Sequence, residues 1–179
     1  MMTVTHGNGF DATVAARVTS LLDDAGAWGA LLWDVPRHRR RQSLAGALAG
    51  ADVFFVERTP PGCPAPYTLA CVWARPALPG SRAGMAHFCA LGGSPDGRPD
   101  AAADPALVRA GHALLASVAL RVKYDALLGV IPWPYRAARR LARELGFAET
   151  RVPGLCPGFR ARGGYDRLLW DGALITRTL

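Results

Sequence analysis

Between residues 83 and 150 the chain alternates extended and helical segments, and this order constrains the fold more than any other feature. "AGMAHFCAL" (83–91) reads as a strand. A helical face follows at Leu107, Gly111, Leu114, Leu115, Val118 and Val122, predicting a helix over 105–122. Asp104 and Pro105 supply an N-cap acceptor and a first-turn proline. "DALLGVIP" is a buried strand over 125–131, and "PYRAARRLAREL" a basic helix over 134–145 that Gly146 ends. A helix between two strands of one sheet demands parallel pairing, because an antiparallel return needs only a turn.

The first half of the chain reads differently. Phe10, Val14, Val18, Leu21 and Leu22 predict an amphipathic helix over 10–24, ended by Gly26. "AWGALLWDV" fits either a helix or a strand, and "PRHRRRQSLAGALAG" predicts a second helix over 36–49. "ADVFFVERT" (51–59) and "YTLACVWARP" (67–76) flank the breaker "PPGCPAP" and predict an antiparallel hairpin. "AETRVPG" and "GYDRLLWDG" are expected to close the chain as two more strands. The sum is an α/β (α+β) domain with a mixed sheet and helices on its faces. It is read as one domain over 1–179, since no linker or internal repeat divides it.

Composition bounds the function. Half of the 179 residues are hydrophobic and 20% are charged, as in an ordinary globular protein. There are 21 basic and 14 acidic residues, giving a net charge of +7, and Lys123 is the only lysine. The excess favours an anionic partner such as a nucleic acid, a membrane surface or a phosphorylated cofactor. Cys63, Cys71, Cys89 and Cys156 have no C-x-x-C spacing, so reduced thiols and no structural zinc are expected. No basic start followed by an apolar run opens the chain, and the longest apolar run, Ala126 to Trp133, is too short to span a bilayer. A cytoplasmic protein with no membrane partner is expected.

The element order, with "RRLARELGF" after a buried strand that ends in proline, resembles the GNAT acyltransferase superfamily. Gly146-Phe147 and Ala138 match the family's late signature N-x-x-A-x-x-x-Y-x-x-x-G-F, and "P-x-x-Y-R-x-A-x-R" (132–140) also resembles divergent, prophage-type members. The resemblance covers about 30–172 in element order and is strong in motif over 125–150. It implies a mostly antiparallel sheet in which two parallel central strands, 85–91 and 126–131, splay into a V. Acetyl-CoA would lie in that gap as co-substrate, its amide arm on the backbone of Cys89, Ala90 and Leu91. Its phosphates would meet the next helix near Arg109, Gly111 and His112, with Arg136 and Arg139 as further partners.

Two slots of the family pattern are filled by other residues. Arg109 and Ala106 occupy positions of the phosphate-loop signature Q/R-x-x-G-x-G/A, of which Gly111 remains. Either an early helix start at Asp104 turns the amides of Ala106 and Leu107 away, or Arg109 and His112 replace them, or both are a plain solvated stripe. Ala142 stands where the resemblance implies a tyrosine acid, and Tyr135 fills the asparagine slot.

Chemistry on this scaffold needs a base, an oxyanion donor and proximity. Alternation places Met85, His87, Cys89 and Leu91 on one face of their strand. His87 is the first candidate base and Glu57 the second; the bland alternatives are a half-buried histidine bonded to a carbonyl and a carboxylate paired with Arg58 or Arg75. Tyr135 is a candidate acid or a ring packed on the "PWP" turn. A backbone N–H near Cys89 or Ala90 is the oxyanion donor, and Cys89 itself reads as a small buried residue.

Three functions stay open. They are an N-acetyltransferase acting on an amine, a GNAT-fold CoA-binding or protein-interaction domain without turnover, and a basic nucleic-acid-binding module suggested by "RHRRR" (37–41) and the Arg136–Arg143 helix. No nucleic-acid signature accompanies that charge. A homodimer is left open.

Overall fold

A computed structural model describes residues 2–32, 34–59, 61–62, 65–91, 105–156 and 171–179. Its strands are β1 (Met2–Asn8), β2 (Asp52–Arg58), β3 (Tyr67–Pro76), β4 (Ala83–Ala90), β5 (Ala126–Pro132), β6 (Ala148–Val152) and β7 (Gly172–Thr178). The helices are α1 (Ala12–Asp24), α2 (Trp28–Leu31), α3 (Arg40–Leu48), α4 (Pro105–Leu115), α5 (Val118–Lys123) and α6 (Arg136–Glu144), with a 3-10 turn at Arg37–Arg39 leading into α3. The strands form one sheet in the order β1-β2-β3-β4-β5-β7-β6. Every neighbouring pair is antiparallel except β4 and β5, which run parallel.

The sheet is covered on both faces, which explains why its central strands read as near-continuous apolar runs. On one face Phe54, Val56, Ala70, Val72 and Ala74 pack with Leu107, Leu114 and Leu115 of α4 and Leu141 of α6. On the other, Val53, Phe55, Cys71, Trp73 and Cys89 pack with Val18 and Leu22 of α1 and Leu44 and Leu48 of α3. The alternation along β2 and β3 thus divides the core into two layers.

Several sequence expectations change. "MTVTHGN" is an edge strand, β1, that the periodicity did not suggest; it pairs along the whole of β2, from Met2 opposite Arg58 to Asn8 opposite Asp52. Its exit is tight, because a Cβ on Gly9 would lie 1.9 Å from the Leu48 carbonyl oxygen. Asp11 then caps α1, accepting from the Thr13 amide at 2.8 Å and from its hydroxyl at 2.7 Å, and these bonds hold its carboxyl below the usual range. The ambiguous segment after Gly26 is a single helical turn, α2. Pro36 sits at the N-cap of the 3-10 turn rather than inside a helix.

The long helix expected over 105–122 is broken. α4 stops at Leu115, and Ser117 takes an extended conformation and starts α5, its hydroxyl accepting from the Leu120 amide. The break turns α5 on its axis, so Val118 and Val122 are 75% and 63% exposed instead of sharing the buried face of Leu107 and Leu114. The expected Asp104 cap lies outside the described residues. So do residues 164–170 of the expected last strand; the observed one, β7, lies further along and inserts between β5 and β6. Ala173, Leu174, Ile175 and Thr176 carried the strand signal there. No helix among the described residues is long and apolar enough to cross a membrane.

Candidate active site

The parallel pairing of β4 and β5 extends only from Ala83 opposite Ala126 to Met85 opposite Leu128. Below this point the strands are tied together. The ring of Tyr124 fills the space over Gly84, where a Cβ would lie 2.7 Å from Tyr124 Cδ1. The Tyr124 hydroxyl reaches Asp52 Oδ2 at 2.9 Å and the Ala74 carbonyl at 3.0 Å. Arg82 grips Asp125 with two bonds of 2.7 and 2.8 Å and also donates to the Val122 carbonyl. Above Met85 the strands separate and enclose a cavity of about 610 Å³.

The direction of each β4 backbone group follows from its ladder with β3. The Ala77 amide donates to the Ala83 carbonyl and the Leu91 amide to the Leu69 carbonyl, both at 2.8 Å. In an antiparallel ladder a residue turns its N–H and C=O to the same side, and the side alternates. With Cys71 opposite Cys89 and Trp73 opposite His87, the odd residues of β4 bond to β3. The N–H and C=O of Ala86, Phe88 and Ala90 therefore face the gap, with no strand pairing beside them. Of the three backbone positions expected to meet a ligand, only Ala90 has this direction. The N–H and C=O of Cys89 and Leu91 turn to β3. The signal was present in the strand period, which alternates the backbone groups as well as the side chains.

The cavity passes through the sheet. On the face of α4 and α6 it is lined by Gly111, Leu114, Leu141, Ala142 and Leu145. On the opposite face it is lined by Leu31, Leu32, Asp34, Val35, Arg75 and His87. His87 stacks on Trp73, their ring centroids 5.5 Å apart, and makes no hydrogen bond to any described residue. Burial holds the imidazole below its usual pKa, the Arg75 charge pushes the same way, and Asp34 opposes them. His87 is therefore neutral at pH 7 and can accept a proton. Tyr135 also lines the cavity, at the residue before α6, where its amide closes a turn onto the Pro132 carbonyl at 2.9 Å. Ala142 contributes a methyl group to the wall.

Other candidates stand apart from the cavity. Glu57 is ion-paired with Arg17 at 2.6 Å, and not with Arg58 or Arg75. Cys89 is buried and its thiol is pushed up to about 12, so it holds its proton and acts as core. Arg109 and His112 lie exposed on α4, and Arg136 lies exposed at the first turn of α6. Gly111 does reach the cavity, and a Cβ there would lie 2.6 Å from Leu145 Cδ2, so glycine lets α4 and α6 approach closely. Arg139 is committed elsewhere: its Nε meets Glu149, its Nη1 donates to the Trp133 carbonyl at 3.0 Å, and its guanidinium lies 3.4 Å from the Trp133 ring centroid. It is a partly buried clamp between α6 and β6.

The fold is a mixed sheet whose one parallel pair, β4 and β5, splays open over a cavity, with an unpaired stretch of β4 on its wall. The arrangement is the GNAT acetyltransferase fold, and solved structures bear this out. The chain is similar over its full length to yncA of Salmonella typhimurium, solved with its cofactor acetyl-CoA, at 16% identity and a TM-score of 0.60, covering 94% of that chain. It is similar over 99% of its length to the ribosomal-protein-S5-alanine acetyltransferase of Vibrio fischeri, at 11% identity and a TM-score of 0.61, covering 92% of that chain. A GNAT-family acetyltransferase of Streptococcus pneumoniae matches over the full length of both chains at 12% identity and a TM-score of 0.56. No family model matches the sequence, and no curated protein does.

Proposed function

We propose that this chain is an N-acetyltransferase that moves an acetyl group from acetyl-CoA to an amine by direct attack. The observation that carries the reading is the bare β4 edge. Ala86 and Phe88, half-buried on the cavity wall, and Ala90 beyond them turn backbone donors and acceptors to the gap with no strand paired to them among the described residues, and such groups normally find partners. An extended amide arm laid beside them would satisfy them as an added strand does. The N-terminus of α6 follows directly on β5, and helix N-termini favour phosphate. Arg136 and Arg109 add positive charge on α6 and α4, and His112 lies exposed beside Arg109 on α4.

Acetyl-CoA supplies an activated thioester when bound. His87, neutral and without a hydrogen bond to any described residue, accepts the proton that the amine nitrogen loses as its C–N bond forms. The N–H of Phe88 or Ala90 donates to the carbonyl oxygen as it gains charge. The C–S bond then breaks, and the hydroxyl of Tyr135 is the candidate donor to the sulfur. A thiol with a pKa near 8.5 is a fair leaving group even unaided.

Ala142 favours a second reading, in which the fold binds CoA without turnover. Two measurements separate the readings. Acetyl-CoA at about 100 times its Kd raises the stability of the chain by about 2.7 kcal/mol, seen as an increase in Tm. Release of free thiol in the presence of an amine panel then reports transfer. A Tm increase without thiol release supports the binding-only reading, and no increase at millimolar acetyl-CoA rejects both.

A further inference from the structure

On the face of the sheet that carries His87, two opposite charges line the same cavity and do not neutralise each other. Arg75 of β3 is diagonal to His87 of β4 on one face, since Arg75 lies opposite Met85 and Trp73 opposite His87. Asp34 approaches from the connection between α2 and α3. Neither has an ion-pair or hydrogen-bond partner among the described residues. Most other carboxylates there are engaged: Asp23 by Arg41, Asp52 by His6, Glu57 by Arg17, Asp125 by Arg82, Glu149 by Arg139 and Asp171 by Arg151. Leu31, Leu32 and Val35 line the same cavity.

This set of groups has a specific complement. A carboxylate in the cavity attracts an ammonium, a guanidinium takes a carboxylate in a two-point contact, and an apolar wall takes a hydrocarbon chain. A polyamine would meet the Arg75 charge, and the first residue of a peptide has no free carboxylate beside its amine. We propose that the acceptor is a free α-amino acid with an apolar side chain, its ammonium held by Asp34, its carboxylate by Arg75, and its side chain against Leu31 and Val35. The proposal rests on the acetyl-transfer reading for its chemistry, though not for its binding. The ammonium gives one proton to the His87 imidazole; the freed nitrogen lone pair forms the new C–N bond, and as the C–S bond breaks the second nitrogen proton passes to the departing thiolate, with the Tyr135 hydroxyl as the candidate relay, which yields the free thiol.

The test compares L-leucine, L-leucinamide and isoamylamine. In thiol-release assays with acetyl-CoA, leucine has a kcat/KM about tenfold or more above leucinamide, because only leucine satisfies Arg75. In R75Q the leucine value falls to the leucinamide level and the ratio approaches one; R75K recovers part of the preference. D34N lowers all three acceptors together. Retention of the acetyl-CoA-induced rise in Tm checks that each variant is folded. Equal values for leucine and leucinamide in the wild-type protein, or an R75Q loss shared by both, overturn the proposal. Binding is read separately, without acetyl-CoA: millimolar leucine raises Tm, leucinamide raises it less, and R75Q abolishes the difference. Leucine binding without thiol release would reject the transfer reading while upholding the amino-acid site. Transfer to isoamylamine with no leucine effect in either assay would do the reverse.

Discussion

The two halves of β4 share one strand and differ in everything on the side of β5. From Ala83 to Met85 the edge is paired, the Tyr124 ring covers Gly84, and the Arg82–Asp125 pair ties the two strand entrances. From Ala86 to Ala90 the same edge pairs with no strand among the described residues, and Ala86 and Phe88 line the cavity. A bare strand edge is a liability that folded proteins ordinarily cover or pair. It persists here because the surrounding packing holds it open. β4 stays in register with β3 along its length, β5 is taken by β7 on its other side, and the two strands cannot close the space above Met85 without breaking those ladders. One half of the strand is paired on both sides, and the other half is paired to β3 alone among the described residues.

The contrast predicts a split between variants that impair chemistry and variants that impair folding. His87→Ala, at the open half, should lower kcat/KM by about 10²–10⁴-fold, while acetyl-CoA still raises Tm; full turnover in thiol-release assays would remove His87 as the base. At the closed half the loss should be in stability. Gly84→Val places a branched side chain against the pinned Tyr124 ring and should cost roughly 1–3 kcal/mol in urea unfolding. Tyr124→Phe removes the bonds to Asp52 and Ala74 and should cost about 1 kcal/mol. A smaller effect is expected at Arg136, whose exposed charge should lower the KM for acetyl-CoA only a few-fold, worth roughly 0.2–1 kcal/mol. Arg136→Gln should raise that KM by this factor and leave kcat in place.

A pH series sharpens the same contrast. Burial and Arg75 depress the His87 pKa below its ordinary value of 6.5. The base therefore stays deprotonated to lower pH, and the acid limb of kcat/KM should fall below pH 6.5. The linked stability has the matching sign. The unfolded chain binds the proton more readily, so this contribution is fully present above pH 6.5 and is lost as pH falls towards the folded pKa. His87→Ala should remove that component from the stability profile, and Tyr124→Phe should leave it in place.

Much of the fold was legible from periodicity and breakers. The β2–β3 hairpin, the buried strand β5 and the glycine-ended helix α6 all appear near their expected positions, because each carries a strong local signal. The misses occurred where local signals were weak or divided. β1 is a short threonine-rich edge whose only strong partner is β2, and Ser117 interrupts an apolar period that otherwise continues through Val122. At the site, alternation placed His87 with Met85 and Cys89. The same alternation applied to backbone groups would have selected Ala86, Phe88 and Ala90. Arg139 looked like its neighbours on the helix stripe, and only the position of Glu149 on β6 distinguishes it. Asp34 and Arg75 gave no motif at all.

The chain alone determined the order of elements from β2 to α6, apart from the break at Ser117, the parallel pairing of β4 with β5 and the covering of the sheet on both faces. Those features follow from side-chain period, turn chemistry and chain connectivity, which are properties of neighbours in sequence. Tertiary structure decided where β4 and β5 part, which backbone groups remain bare, which arginine is already paired and which two charges share the cavity with His87. Each of those depends on distances between segments far apart in the chain, and packing across the sheet sets those distances.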